Sequence, residues 1–432
     1  MKPMIDSPSR PPGFRYVLLT LVGLAFGSLL ASCQFEAKQR PVLAFDRSNP
    51  TANGSRYPAL ASDGPDRVVM AWVSSIEERV SAIEVADRIE TQWYAPRPVH
   101  VGEDLRLEPS DRPRLVIDEN GTRWVSWREL RRGGRLVLSR QPEGSNSWIH
   151  SRIPTPDETL RQGVPRLALG DSVLVALWEE FGGAGTTLRL ARWAADGVGD
   201  ELRLDDGDGA GGWRAAGVPI RLQGELLGEP VLAVTGESST TAWLEQVGDR
   251  VQLIVSRQDV GETETSSDRE MIGEWSASSG NGHLHGALSM ARQEGGALAL
   301  AVAVEQEEGR DARLYLHESG DWTERTPELW NEQTGRPVVA SDPNGGWILL
   351  WQQRGEPLAS LWLQRFHADG SERDGETLVD PVRVGSVDSG LQSDRPSLIP
   401  LREEGIFLAW TQTDPFLRVR TALVPWNYQP DR

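Results

Sequence analysis

The 432-residue chain has one cysteine and, apart from Lys2 and Lys38, no lysine; the rest of its 45 basic residues are arginine. A lone cysteine excludes a disulfide framework, the usual staple of small exported domains. Acidic residues number 63, and the formal charge of −18 excludes phosphate-backbone binding as a main role, because that needs a basic face to release counterions. No Gly-rich phosphate loop, Gly-x-Ser-x-Gly elbow or His-Glu-x-x-His helix occurs. Beyond the first 33 residues no apolar run approaches membrane-spanning length, and the 44 glycines and 28 prolines are dispersed, so long helices are not expected. Tryptophan is plentiful, with 17 in a chain that is 38% hydrophobic, which is enough to bury a large core.

The amino terminus reads as an export signal over residues 1–32. Arg10 and Arg15 precede an apolar run from Tyr16 to Leu30 that is too short, and too abruptly followed by polar sequence, for a permanent spanning helix. It ends in Leu30-Ala31-Ser32-Cys33, which resembles the lipobox of bacterial lipoproteins. The resemblance implies cleavage before Cys33, a diacylglycerol on its thiol, palmitate-type acylation of the new amino terminus and a linker over residues 33–40. Gln34 rather than Asp follows, which implies transfer to the outer membrane, facing either the periplasm or the exterior. Removal of residues 1–32 leaves a charge of −20, so the surface should stay off anionic headgroups unless divalent cations bridge the two.

One block recurs through the remainder: Pro-x-apolar, a turn with Gly or Asp, then an apolar stretch ending in Trp. It runs from Pro58 to Trp72, Pro113 to Trp127, Pro165 to Trp178, Pro230 to Trp243, Pro337 to Trp351 and Pro396 to Trp410, at spacings of 13 or 14 residues. A seventh copy, from Ala287-Leu288 to Val304, has lost both Pro and Trp. Each block reads as two short strands about a tight turn. A third strand follows, often ending in Arg (Arg140, Arg192, Arg257, Arg365), and a fourth opens with Trp (Trp93, Trp148, Trp213, Trp275, Trp322). Four antiparallel strands per repeat make a propeller blade. The 385 residues from Pro41 to Pro425 divide into seven repeats of 55. The expected fold is therefore all-β: one seven-bladed β-propeller over residues 41–425, with six or eight blades as alternatives and a tail at 426–432. The last repeat runs out after its third strand, whereas Arg40-Pro41-Val42-Leu43-Ala44-Phe45 matches Arg97-Pro98-Val99-His100-Val101. The N-terminal strand is expected to complete the final blade and remove an exposed edge. Ile76, Val80 and Ile83 fall at helical spacing, but repeat register assigns residues 81–85 to a strand.

This pattern resembles the sialidase-like propellers with BNR, or Asp-box, repeats. The nearest counterpart of the family's Ser-x-Asp-x-Gly-x-Thr-Trp box is the run from Ser139 to Trp148, which keeps the Ser, Gly144 and the Trp and lies between a third and a fourth strand. For an enzyme of the sialidase type the resemblance implies three arginines on a substrate carboxylate, an Asp acid/base and a Tyr–Glu nucleophile pair. Arg112, Arg336 and Arg395 would supply the triad, Asp111 or Asp394 the acid, and Tyr57 the nucleophile.

If Pro-x-Leu opens each inner strand, the loops leading into those strands carry Arg56, Arg112, Glu229, His285, Arg336 and Arg395, with Asp111 and Asp394 beside them. Such a ring mixes cations and carboxylates. Because these residues recur with the repeat, they point to a binding funnel or to Arg–carboxylate ladders between blades, whereas catalysis requires unlike groups placed asymmetrically. The sequence thus points to a lipid-anchored envelope propeller that binds or scaffolds an envelope protein or glycan without catalysis, the alternative being a sialidase-like glycoside hydrolase. No cofactor or metal is expected. His283 and His285 share a strand face without a third ligand, and Asp205-Asp206-Gly207-Asp208-Gly209 lacks the spacing of a known calcium loop. Trp330 and Trp426 fall outside the repeat and are candidates to stack on a sugar or a partner.

Overall fold

The second strand of each repeat is apolar at consecutive rather than alternate positions, as in Val68-Val69-Met70-Ala71-Trp72, the pattern of a strand covered on both faces. The computed structural model describes residues 48–432 apart from 65–66, 106–111, 130–134, 154, 156–159, 172, 184, 195–211, 217, 260–267, 277–284, 307–308, 319, 329, 356–357, 370, 372–380, 389–394, 413–416, 427 and 429–432. These residues form seven antiparallel sheets, each built from strands consecutive in the chain. The inner strands are Ser55–Ser62, Arg114–Ile117, Arg166–Leu169, Val231–Thr235, His285–Arg292, Thr334–Ser341 and Ser397–Leu401. They adjoin one another in cyclic order, the last adjoining the first, so the protein is a seven-bladed β-propeller.

Both faces of each second strand are covered by neighbouring blades, and seven buried apolar clusters fill the seven seams. Val69 and Ala71 of blade 1 pack toward blade 2 with Val125 and Trp127, while Val68, Met70 and Trp72 pack toward blade 7 with Phe407 and Val419. Every repeated tryptophan plugs the seam with the preceding blade: Trp127 lies in the seam of blades 1 and 2, Trp178 in that of 2 and 3, Trp243 in that of 3 and 4. Trp351 and Trp410 do the same for the seams of blades 5 and 6 and of 6 and 7. Polar cross-links supplement the packing: Leu60 N donates to Ser397 Oγ (3.2 Å), Val339 N to Ser289 Oγ (3.1 Å) and Ser126 Oγ to Pro165 O (2.7 Å).

Blade 5, the eroded copy, forms as expected, with His285–Arg292 paired to Leu298–Gln306. Val304 takes the place of the missing tryptophan in the seam of blades 4 and 5, and Trp275 and Tyr315 supply the bulk there. This changes one expectation. Trp275 stands near the end of its strand, Asp268–Ser276, rather than opening it, opposite Val251 at the start of the third strand. There its indole N–H donates to Asp311 Oδ2 of blade 5 (2.9 Å) under the Arg313 guanidinium. Trp330 is buried among Ala287, Ala299, Ala301 and Ala303, filling space those small side chains leave. Trp426 packs on the seam of blades 6 and 7, its indole N–H donating to Leu401 O (2.9 Å). Trp330 is therefore a core residue that no ligand can stack on, whereas Trp426 is only partly buried.

Residues 81–85 belong to the strand Ser81–Ile89, and Ile76 lies outside it, exposed. The last blade shows three strands among the described residues, Ser397–Leu401, Gly405–Gln412 and Arg418–Pro425. The closing strand expected at residues 40–45 lies outside the described residues. The chain just after it follows the outer side of this blade: Asn49 Nδ2 and Thr51 Oγ1 donate to Val419 O (3.1 and 3.2 Å), and Gly54 N donates to Leu417 O (2.6 Å).

Candidate functional site

At one end of the ring the described starts of the inner strands gather around the central channel. Two of these strands carry bulges at that end, where the register shifts between Arg56 and Ala59 in blade 1 and between Gly335 and Val338 in blade 6. Each bulge holds a non-glycine residue in the left-handed region immediately before a proline: Tyr57 at φ 59° and Arg336 at φ 47°. Such backbone costs roughly 1–3 kcal/mol per residue and concentrates at functional sites, where bulges re-aim side chains. Tyr57 is buried, its N–H donating to Thr411 Oγ1 (3.0 Å), and the Arg56 guanidinium lies 5.3 Å from its ring centre.

Four guanidiniums close on one carboxylate oxygen, Glu229 Oε2. Arg114 Nη2 is at 2.5 Å, Arg112 Nη2 at 3.5 Å, Arg395 Nη1 at 3.7 Å and Arg166 Nη2 at 3.9 Å. Glu229 reaches this position because Gly228 takes φ 78° and lies so close to blade 5 that a Cβ on it would stand 2.1 Å from Gly286 O. Arg395 is held by Leu288 O (2.8 Å) and Gly286 O (3.4 Å), and Arg166 by Glu179 Oε2 (2.6 Å) and Val164 O (2.9 Å). Gly163 makes room for that Glu179 carboxylate, because a Cβ there would fall 1.9 Å from Oε2.

The electrostatics are lopsided. Burial alone would push the Glu229 carboxyl up, but Arg114, Arg112, Arg395 and Arg166 override it and hold the group well below the usual carboxylate range. Burial, with repulsion from Arg112 and Arg166 adding to it, pulls the Arg114 guanidinium down to about 9 despite Glu229. Burial likewise pulls Arg395 down to about 10, with Glu229 resisting and Arg114, Arg336 and Arg166 adding repulsion. Both stay protonated at neutral pH; the depression comes first from burial and then from repulsion among the arginines, which Glu229 only partly offsets. Nε of Arg114 and Nε of Arg166 donate to no protein acceptor among the described residues. The side chains of Arg112, Arg114, Arg395 and Glu229 keep 13–17% of their surface open, so a ligand group entering the channel mouth can touch them. Arg112, Arg114 and Arg395 themselves line a cavity of about 210 Å³ in the channel, together with Pro58, Leu115, Leu167 and Pro337.

Of the residues singled out from sequence, Arg112, Glu229 and Arg395 meet directly, and Arg336 is near enough to repel Arg395. Arg56 and Tyr57 line up together in the bulge of blade 1, and His285 begins the inner strand of blade 5 exposed to solvent. Asp111, Asp394, His283 and Cys33 lie outside the described residues, as does the acidic turn at 205–209. Arg114 and Arg166 are the members the loops did not reveal. Arg114 and Arg166 occupy the same place in their repeats, directly after Pro113 and Pro165. Among the described residues no group of His, Cys, Asp and Glu is arranged to hold a metal ion, and no helix is long and apolar enough to cross a membrane.

No family model matches the chain, and no curated protein matches it in sequence. Solved structures do match in fold. An ulvan lyase, described as a polysaccharide lyase of a new family and bound to a GlcA-containing saccharide, superposes with a TM-score of 0.54 at 11% identity, covering 89% of this chain and 97% of its own. A protein of unknown function from Dyadobacter fermentans gives 0.49 at 12% identity over 90% and 99% of the two chains. The NanB sialidase of Streptococcus pneumoniae gives 0.39 at 10% identity over 89% and 70%. At such identities the likeness extends to the propeller fold and no further.

Proposed function

We propose that this protein is a lipid-anchored, non-catalytic binding module of the cell envelope whose channel mouth receives the carboxylate or sulfate of an acidic glycan. The observation that carries the reading is the convergence of Arg112, Arg114, Arg166 and Arg395 on a single Glu229 oxygen, an excess of buried cation in a chain of net charge −18. Guanidiniums bind carboxylate and sulfate groups through charge-assisted, often bidentate hydrogen bonds. Glu229 preorganises the arginines and offers an acceptor to a neighbouring hydroxyl. An acidic segment of an envelope protein is the competing occupant.

Titration of the detergent-solubilised protein with trigalacturonate and with a neutral trisaccharide tests this. The acidic probe alone should bind at the mouth, and Arg395→Ala should weaken it about 10- to 100-fold, since a hydrogen bond to a charged group contributes about 1.5–3 kcal/mol. Equal binding by wild type and Arg395→Ala would exclude the mouth as the acidic site. The anchor has its own test: labelling of cells with an alkyne fatty acid should mark the wild type and not Cys33→Ser. Label retained by Cys33→Ser would remove the lipid from the proposal.

The left-handed backbone of Tyr57 and Arg336 favours one alternative, a sialidase-like glycoside hydrolase, because strain of this kind is often retained for chemistry. Turnover of fluorogenic glycosides that disappears in Tyr57→Phe and in Asp111→Asn or Asp394→Asn would establish that reading in place of the first.

A further inference from the structure

A second cleft, of about 850 Å³, lies between blades 1 and 2 at the strand ends away from the channel mouth. That size is within the roughly 300–1,000 Å³ of small-molecule clefts. One wall comes from the turns of blade 1, with Asp63, Arg67, Ile89 and Tyr94, and the other from the run Gln141 to Asn146 of blade 2. The latter belongs to the segment that resembles an Asp box, and the channel mouth makes no use of it.

The polar groups of the cleft are held in place. Asp87 Oδ2 accepts from Arg97 Nη2 (2.9 Å) and Arg123 Nη1 (3.1 Å), and Asp87 Oδ1 pairs with Arg67 Nη2 at 3.0 Å. Arg67 Nη1 also meets Asp63 Oδ2 at 2.8 Å. Arg67 and Arg97 nonetheless keep 32% and 38% of their side-chain surface open, so edges of both guanidiniums face the cleft. Gln141, 97% buried, accepts from Arg123 through Oε1 (3.3 Å), which fixes the amide, and its Nε2 has no protein acceptor among the described residues. Above these groups Tyr94 is 51% exposed and Ile89 39% exposed.

Charge here is balanced, with Arg67, Arg97 and Arg123 facing Asp63, Asp87 and Glu143, so the cleft offers an anion no net attraction, in contrast to the channel mouth. It offers interleaved donors and acceptors beside a flat aromatic ring. A pyranose fits that description: each hydroxyl both donates and accepts, and one face of the ring is apolar enough to lie on an aromatic. We propose that this cleft is a second binding site that takes an uncharged sugar residue of a glycan, stacked on Tyr94 with its hydroxyls on Arg97 and Asn146.

Titration of the detergent-solubilised full chain with cellotetraose, maltotetraose, mannotetraose and chitotetraose tests the proposal. At least one should bind, and Tyr94→Ala should weaken it about tenfold, the scale of one lost aromatic contact. Tyr94→Phe, which keeps the ring, should stay within about threefold of wild type. Arg97→Ala should weaken binding as well, and Arg395→Ala should leave it unchanged, separating this site from the channel mouth. Failure of all four sugars to bind, or binding that is indifferent to Tyr94→Ala, overturns the proposal whatever happens with trigalacturonate.

Discussion

Glu229→Ala should lower the unfolding free energy by about 3–5 kcal/mol, the scale for removing one partner of a buried ion pair and leaving the other uncompensated. Here the uncompensated side is four guanidiniums within 4 Å of the lost oxygen. With the carboxylate present, Arg114 is already pulled down to about 9 and Arg395 to about 10, and Glu229 is the group that resists in both cases. Its removal leaves burial and mutual repulsion unopposed. The measurement is the urea midpoint. A second readout separates charge from shape: sulfate should stabilise Glu229→Ala far more than wild type, because an anion that binds only the folded state adds RT ln(1 + [L]/Kd), about 2.7 kcal/mol at a hundred times Kd. Glu229→Gln, which keeps the volume, should show the same rescue. The sign with pH follows from the depressed carboxyl: the wild type's stabilisation is complete above the ordinary carboxylate range and is lost only as pH falls through the lower folded-state value, whereas the variant has none to lose. An unchanged midpoint, or equal sulfate stabilisation of wild type and variant, would mean that the arginines do not act as a cationic cluster.

The blades were legible because their most recognisable residue does one job repeatedly. A tryptophan within the second strand of every blade but the fifth plugs the seam with the preceding blade, which ties it to a nearly fixed distance from the proline that opens the inner strand. Where the plug is assembled differently, the signal fades: Val304 shares its seam with Trp275 from a fourth strand and Tyr315 from a third, so no one position of the repeat carries it. Trp330 was illegible for the complementary reason, since the alanines that make room for it come from two strands of another blade. At the channel mouth, loop position was enough to single out Arg112, Glu229, Arg336 and Arg395. Arg114 and Arg166 escaped because, inside a strand, the sequence does not reveal which way a lone arginine turns. The left-handed turn at Tyr57 and at Arg336 was equally hidden, because the residue before a proline ordinarily adopts an extended conformation.

The seam of blades 1 and 2 separates packing from charge. Successive residues of one strand face opposite neighbours. Thus Asp87 turns to Arg123 of blade 2, while Arg88 turns to Glu404 of blade 7 at 3.0 Å. Asp87 and Arg123 are 9% and 6% exposed, so water does little to screen the pair. Burial pulls the Arg123 guanidinium down, Asp87 resists, and Arg67 and Arg97 add to the fall. Asp87→Ala should therefore cost about 3–5 kcal/mol. Adding Arg123→Met should restore most of that loss, because a buried ion pair replaced by apolar groups of similar size is often neutral in stability. A double-mutant cycle measured by urea unfolding should then give a coupling of about 3 kcal/mol, the upper end of the range for residues in one network. Strict additivity would show that Val69, Ile83, Val125 and Trp127 hold the seam by packing alone. A large coupling would instead assign the ion cluster a share in orienting the two blades, and with it the shape of the cleft in which Tyr94 stands.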